Sequence, residues 1–201
     1  MIKHPNISKH NSKLGDQIPS LNMPVGRTCR PDAPCFAKCY ARKGNFARPN
    51  VKAAHTSNLE AYEADPDFFF HYISVMTRLS KYFRWHSSGD IVDERYLNGI
   101  VSVARENPST NYLCFTKKFE LVNAYLDKNG ELPENLKIVF SAWGRDFIPE
   151  NPHNLPIAYC ELKGEDNSYL PCDCFPCGGK CYECVACWQL QKGQTVYFKE
   201  H

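Results

Sequence analysis

The stretch "YFRWHSSGDIVDERYLNGIVSVARENPSTNYLCFTK", residues 82–117, decides the fold. "YFRWH" has the aromatic and apolar run of a strand. Asp93 opens "DERYLNGIVSVAREN" as a helix cap, with Leu97, Ile100, Val101 and Ala104 turned inward at helical spacing. "NYLCFT" then reads as a second strand. Two strands joined by a helix of this length form a right-handed crossover, which makes the strands parallel.

The same alternation continues on both sides. "KFELVNAYLDKNG" is a helix stopped at Asn129-Gly130, "LKIVFSAW" a strand, "LPIAYCEL" a fourth and "TVYFK" a fifth. Upstream, Val51, Ala54, Asn58, Leu59 and Tyr62 recur at helical spacing. A further helix starts at Asp65-Pro66 and is expected to place Phe69, Ile73, Met76 and Leu79 on one core-facing stripe. The expected fold is therefore α/β, a parallel sheet of βα units that is either open or a partial, reduced TIM-like barrel. The chain has 201 residues, 43% of them hydrophobic and 13% aromatic, which suits one domain over 1–201. A cysteine loop at about 24–48 and a cysteine-rich segment at about 170–190 lie near its N- and C-terminal ends.

In parallel α/β sheets the working residues gather where the strands end. "YFRWH" runs into Ser87, Ser88, Gly89 and Asp90, "NYLCF" into Thr116 and Lys117, and "LKIVF" into Ser141, Trp143 and Arg145. A shared substrate or cofactor pocket is expected from Arg84, His86, Ser88, Gly89, Asp90, Thr116 and Lys117. Ser, Asp and Gly also serve as turn formers and helix caps, and that alternative stays open at this point.

The start "MIKHPNISKHNSKLGDQ" lacks the apolar core of a secretory signal, and no stretch approaches the ~20 apolar residues of a membrane span. A cytoplasmic protein without a membrane partner is expected. Disulfides rarely persist in that compartment, so eleven cysteines point to metal or redox chemistry. Cys172, Cys174, Cys177, Cys181, Cys184 and Cys187 crowd into one segment. Cys181-x2-Cys184-x2-Cys187 has the step by which a ferredoxin loop wraps a cuboidal 4Fe-4S cluster. Trp188 follows and no later cysteine does, so a fourth thiolate is expected from Cys177, Cys174 or Cys172. Zinc is the alternative, through the pairs Cys174-x2-Cys177 and Cys181-x2-Cys184. Zinc-ribbon pairs, however, stand roughly 15–20 residues apart, and here only Gly178, Gly179 and Lys180 intervene.

A second group, Cys29-x5-Cys35-x3-Cys39, lies on the Pro- and Gly-rich N-terminal loop. It is similar to the cluster loop of radical S-adenosylmethionine enzymes, in which three thiolates leave one iron open to the cofactor. "CFAKCYAR" meets only the first two positions of their C-x3-C-x2-C pattern, and Arg42 stands at the third. Either Cys29 supplies the missing thiolate or the loop holds no such cluster. One or two iron–sulfur clusters are thus expected, with S-adenosylmethionine as a candidate cofactor. Cys114 reads as a small buried hydrophobe, and Cys160 stays unassigned.

Five motifs in order, "PCFAKCYARKGNFARPNVKAAHTSNLEAY", "FRWHSSGD", "FTK", "CYECVACW" and "VYFKEH", resemble the phage gene-product-88-like family of small cysteine-rich proteins. The resemblance covers roughly residues 24–201 and implies a distant similarity to radical S-adenosylmethionine proteins with a reduced barrel. It carries over Cys35, Cys39, Tyr40, Arg84, His86, Gly89, Asp90, Lys117, Cys181, Cys184, Cys187 and Trp188 as signature positions. It also implies the cytoplasm of a host cell, and Gly89-Asp90 stands where radical enzymes hold the amino group of their cofactor.

Residues 1–60 carry ten Lys and Arg against three Asp and Glu, while the remainder is net acidic. The basic third suits nucleic acid, an anionic small molecule or a thiolate-bound cluster, with an ordinary solvated face as the open alternative. Two function classes stand. One is an iron–sulfur protein with radical-enzyme-like or electron-transfer chemistry, acting on a small molecule or a redox partner. The other is a non-catalytic metal-stabilised protein, with iron–sulfur or zinc, whose basic part meets nucleic acid or a host protein.

Overall fold

The computed structural model describes residues 3–165 and 174–200. Its centre is one eight-stranded sheet: β1 (Ile7–Ser8), β2 (Ser20–Leu21), β3 (Tyr82–Trp85), β4 (Asn111–Thr116), β5 (Leu136–Trp143), β6 (Ile157–Glu161), β7 (Phe175–Pro176) and β8 (Thr195–Lys199). The order across the sheet is β1-β2-β3-β4-β5-β6-β8-β7. Every neighbouring pair is parallel except β1 with β2. The α/β expectation and its five strands therefore hold. The pairing leaves β1 and β7 as edges, so the sheet is open and no closed barrel forms among the described residues.

The helices are α1 (Pro49–Ala64), α2 (Pro66–Thr77), α3 (Glu94–Glu106), α4 (Phe119–Asn129) and the single turn α5 (Cys181–Cys184). Asp93 caps α3 by accepting from the Tyr96 N–H at 2.8 Å, as its position before the helix predicts. Gly130, at φ +76°, ends α4. No helix among the described residues is long and apolar enough to cross a membrane.

Strand alternation gives the sheet two faces with different covers. Phe83, Trp85, Tyr112, Cys114, Ile138 and Phe140 meet the helices in the larger core. Leu113, Val139, Ala158 and Val196 face the other way and are covered by the chain ends, through Leu14, Ile18, Trp188 and Leu190. Trp188 fixes the C-terminal cover by donating from Nε1 to the Phe83 carbonyl at 3.1 Å. The Cys181 N–H ties it to the N-terminal segment at the Lys13 carbonyl, 2.7 Å away.

One stripe departs from expectation. Phe69 and Ile73 are fully buried, but Met76 is 45% and Leu79 92% exposed. The buried row continues from Ile73 to Thr77, four residues on, and α2 ends there, so Leu79 lies beyond the helix.

Helices α2 and α3 pack closely because Gly99 has no side chain: a Cβ there would stand 2.2 Å from Phe70 Cε2. We expect Gly99→Ala to cost about 1–3 kcal/mol through overpacking, despite the ~1 kcal/mol better helix propensity of Ala. Urea unfolding measures this, and an unchanged midpoint would mean the helices sit further apart.

Candidate functional site

The loop after β3, "HSSGD", is laced onto the segment that enters the N-terminal cysteine loop. His86 N–H donates to the Leu21 carbonyl at 2.9 Å, Ser87 N–H to Asn22 Oδ1 at 2.8 Å, and Ser88 Oγ to the Met23 carbonyl at 3.1 Å. Met23 N–H returns a bond to the Ser88 carbonyl at 2.9 Å. Gly89 permits this contact: its φ is +77°, and a Cβ would lie 2.5 Å from Met23 Cβ and 2.7 Å from Thr28 Oγ1.

Asp90 closes the brace. Its backbone N–H donates to Thr28 Oγ1 at 3.0 Å. Its Oδ1 accepts from Thr116 Oγ1 at 2.6 Å and Ile91 N–H at 2.7 Å, and its Oδ2 from Lys117 N–H at 2.9 Å. A carboxylate that only accepts suits these donors. Burial pushes its pKa up, and the Lys117 and Thr116 hydrogen bonds hold it back. Asp90 thus joins the end of β3, the end of β4 and the cysteine loop, and its oxygens are largely occupied in doing so.

His86 is likewise engaged inside the protein. It is buried at φ +57°, with Nε2 3.0 Å from the Tyr96 hydroxyl and Nδ1 3.7 Å from Cys114 Sγ. Burial, then the charges of Arg84 and Lys118, lowers its pKa to about 3, which keeps the imidazole neutral.

All seven expected pocket residues line one cavity of about 450 Å³ at the carboxyl ends of β3 and β4. Ser141, Trp143 and Cys160 extend it across β5 and β6. The Arg84 guanidinium carbon lies over the Phe115 ring, 4.0 Å from its centroid, with Nε donating to the Trp85 carbonyl at 3.1 Å. Lys117 Nζ donates to Ser141 Oγ at 2.6 Å. Among the described residues neither cation forms an ion pair with a carboxylate.

Both cysteine groups open onto this cavity. Cys29, Cys35 and Cys39 line it from the N-terminal loop, and Cys177, Cys181 and Cys187 from the C-terminal segment. Cys174 and the exposed Cys184 are described but do not line it, and Cys172 lies outside the described residues. The ten described cysteines are free thiols. Burial raises the Cys29, Cys35 and Cys181 thiols and pushes Cys187 to about 12 and Cys160 to about 11. Lys117 offsets this at Cys35 and Cys160, and Arg84 at Cys181 and Cys187.

Val185, a β-branched residue at φ +46°, turns the chain between Cys184 and Cys187 and sends Cys187 back toward the cavity. Among the described residues no three His, Cys, Asp or Glu side chains stand together as donors to one metal ion. A cuboidal cluster places each thiolate on its own iron, so its ligands stand wider apart than donors around one ion at about 2.3 Å. Thiols, three in each group lining the cavity with Cys184 beside the second, are the ligand type of such clusters.

The family model described as gene product 88 matches residues 3–190. The chain belongs to the gene product 88 family. The resemblance is thereby upheld at the level of the family: the match takes in the first four motifs, begins well before residue 24 and ends short of "VYFKEH". No curated protein and no solved structure matches the chain.

Cys160, Phe46 and Phe198 also line the cavity without having been assigned to it from the sequence, although the position of Cys160 at the end of a strand is a usable signal. Tyr40 was legible only as a signature position, and its hydroxyl proves to donate to the Ser87 carbonyl at 2.6 Å.

Two outcomes test the brace. Asp90→Asn should lose about 1–3 kcal/mol, because an amide NH2 faces at least one N–H or O–H donor, as read by denaturant unfolding. For His86, the unfolded chain takes up a proton near pH 6.5 and the folded protein only near 3. Its contribution is therefore full above pH 6.5 and falls as pH drops through that window, by up to about 1.4 kcal/mol per pH unit. His86→Asn, which tolerates the positive φ, should lack that slope, and parallel pH profiles for the two proteins would contradict the buried neutral imidazole.

Proposed function

We propose that this member of the gene product 88 family is an iron–sulfur protein of redox type, in which two thiol groups from opposite ends of the chain serve one ligand-binding cavity. The observation that carries this reading is that Cys29, Cys35 and Cys39 line the same cavity as Cys177, Cys181 and Cys187. A structural staple would need only one such group and no cavity. Clusters held here would supply single electrons at the cavity wall.

The residues have separable roles in this reading. Cys29, Cys35 and Cys39 hold the N-terminal group, with Cys29 as the third thiolate in place of the position occupied by Arg42. That leaves room for a radical-enzyme-like use of S-adenosylmethionine, with the open sheet serving as a reduced barrel. Cys177, Cys181, Cys184 and Cys187 hold the second group. Phe115 and Trp143 form apolar wall that limits water, while Arg84 and Lys117 present positive charge to whatever occupies the space. Asp90 and His86 keep the strand ends and the cysteine loop in register.

Anaerobic purification with iron, sulfide and zinc quantified tests the proposal. We expect about eight irons and as many sulfides per chain, for two cuboidal clusters. Cys39→Ala and Cys181→Ala should each lose about half of the iron and of the visible absorption. Stoichiometric zinc without sulfide would overturn the iron–sulfur reading. If S-adenosylmethionine and a reductant yield no 5′-deoxyadenosine, the radical-enzyme branch is lost and electron transfer remains.

A further inference from the structure

The cations in the cavity point to the kind of molecule it takes. Arg84 is half-buried, its guanidinium carbon lies over the Phe115 ring 4.0 Å from the centroid, and only its Nε is spent, on the Trp85 carbonyl. Among the described residues the two Nη groups have no hydrogen-bond partner, so this planar pair of donors meets no protein acceptor. Lys117 lies two residues beyond Phe115 on the same face of β4 and its strand end. Its ammonium is anchored by Ser141 Oγ at 2.6 Å, 5.9 Å from the centroid of the Trp143 ring, with further protons to donate. Asp90 and Glu200, the acids among the cavity's lining residues, are committed: Asp90 to its three donors, and Glu200 to Lys38 at 2.7 Å.

We infer that Arg84 and Lys117 form an oxyanion site that binds a carboxylate or phosphate group of the small molecule entering this cavity. A charge that merely balanced thiolates would need no particular orientation. A guanidinium stacked on an aromatic ring with its terminal nitrogens free is the arrangement that grips two oxygens of one anion. Ser141 and Lys117 would meet the same group or the next polar atom along. The inference takes the cavity as the working site, as the proposed function does, but it does not depend on which metal the thiols hold.

The test uses the full chain purified anaerobically, with iron and sulfide measured on every sample. Inorganic phosphate and malonate are titrated separately, followed by the 31P or 13C line width of the probe and by thermal stabilisation. We expect saturable binding of at least one probe, weakened at least tenfold in Arg84→Gln and several-fold in Lys117→Gln, with iron and sulfide unchanged. Arg84→Lys, which keeps the charge but not the fork, should recover only part of the affinity. The tighter probe distinguishes a phosphate-bearing from a carboxylate-bearing ligand. If neither probe binds, or if binding survives Arg84→Gln, the inference is wrong. Loss of iron in Arg84→Gln at undiminished anion affinity would make Arg84 a counter-charge to the thiolates and overturn it too. Anion binding lost in Arg84→Gln by a protein that holds no iron would uphold this site while removing the iron–sulfur reading.

Discussion

The organisation of the site depends on the Asp90 carboxylate and the loop that carries it. One buried side chain accepts from Thr116, Lys117 and Ile91, while its own N–H reaches Thr28. Those bonds fix where β4 ends relative to β3 and where the cysteine loop begins. A buried carboxylate is costly unless its lone pairs are met, so the geometry that meets them is strongly preferred over its neighbours. Gly89 supplies the other half of the constraint, since only a residue without a Cβ fits between Met23 and Thr28 at a positive φ.

The sheet then divides labour between its faces. The helices bury large aromatics, Trp85, Tyr96 and Tyr112 among them, on one side and supply most of the apolar core. On the other side the cover consists of the two chain ends, and the C-terminal one brings Cys177, Cys181 and Cys187. Trp188 locks onto Phe83, and the Cys181 N–H onto Lys13, so the C-terminal thiols line the same cavity as the N-terminal ones. Separation in sequence is thereby converted into a common cavity wall.

Much of this was legible in the sequence because it rests on local pattern. The βα alternation, the Asp93 cap and the Gly130 stop follow from residue spacing and backbone preference, and the polar strand ends follow from the rule for parallel sheets. What was not legible depends on distant partners. The two-residue β2 has no periodicity to read, and it exists because Ser20 and Leu21 pair with Arg84 and Trp85. The exposure of Met76 is set by which side of α2 meets α3. Asp90 was readable as a pocket residue, but its commitment to three donors was not, because those donors come from its own loop and from β4. Val185 gave no sign that it would adopt a left-handed turn, since its side chain disfavours one.

Two cysteine groups, one from each end of the chain, line a single cavity. Cross-linking of the metal-free folded protein with a short bismaleimide, followed by peptide mapping, tests it most directly. Cross-links joining Cys35 or Cys39 to Cys181 or Cys187 are expected, and they should be lost on unfolding in urea before the reagent is added. Links confined within each group in the folded protein would contradict it.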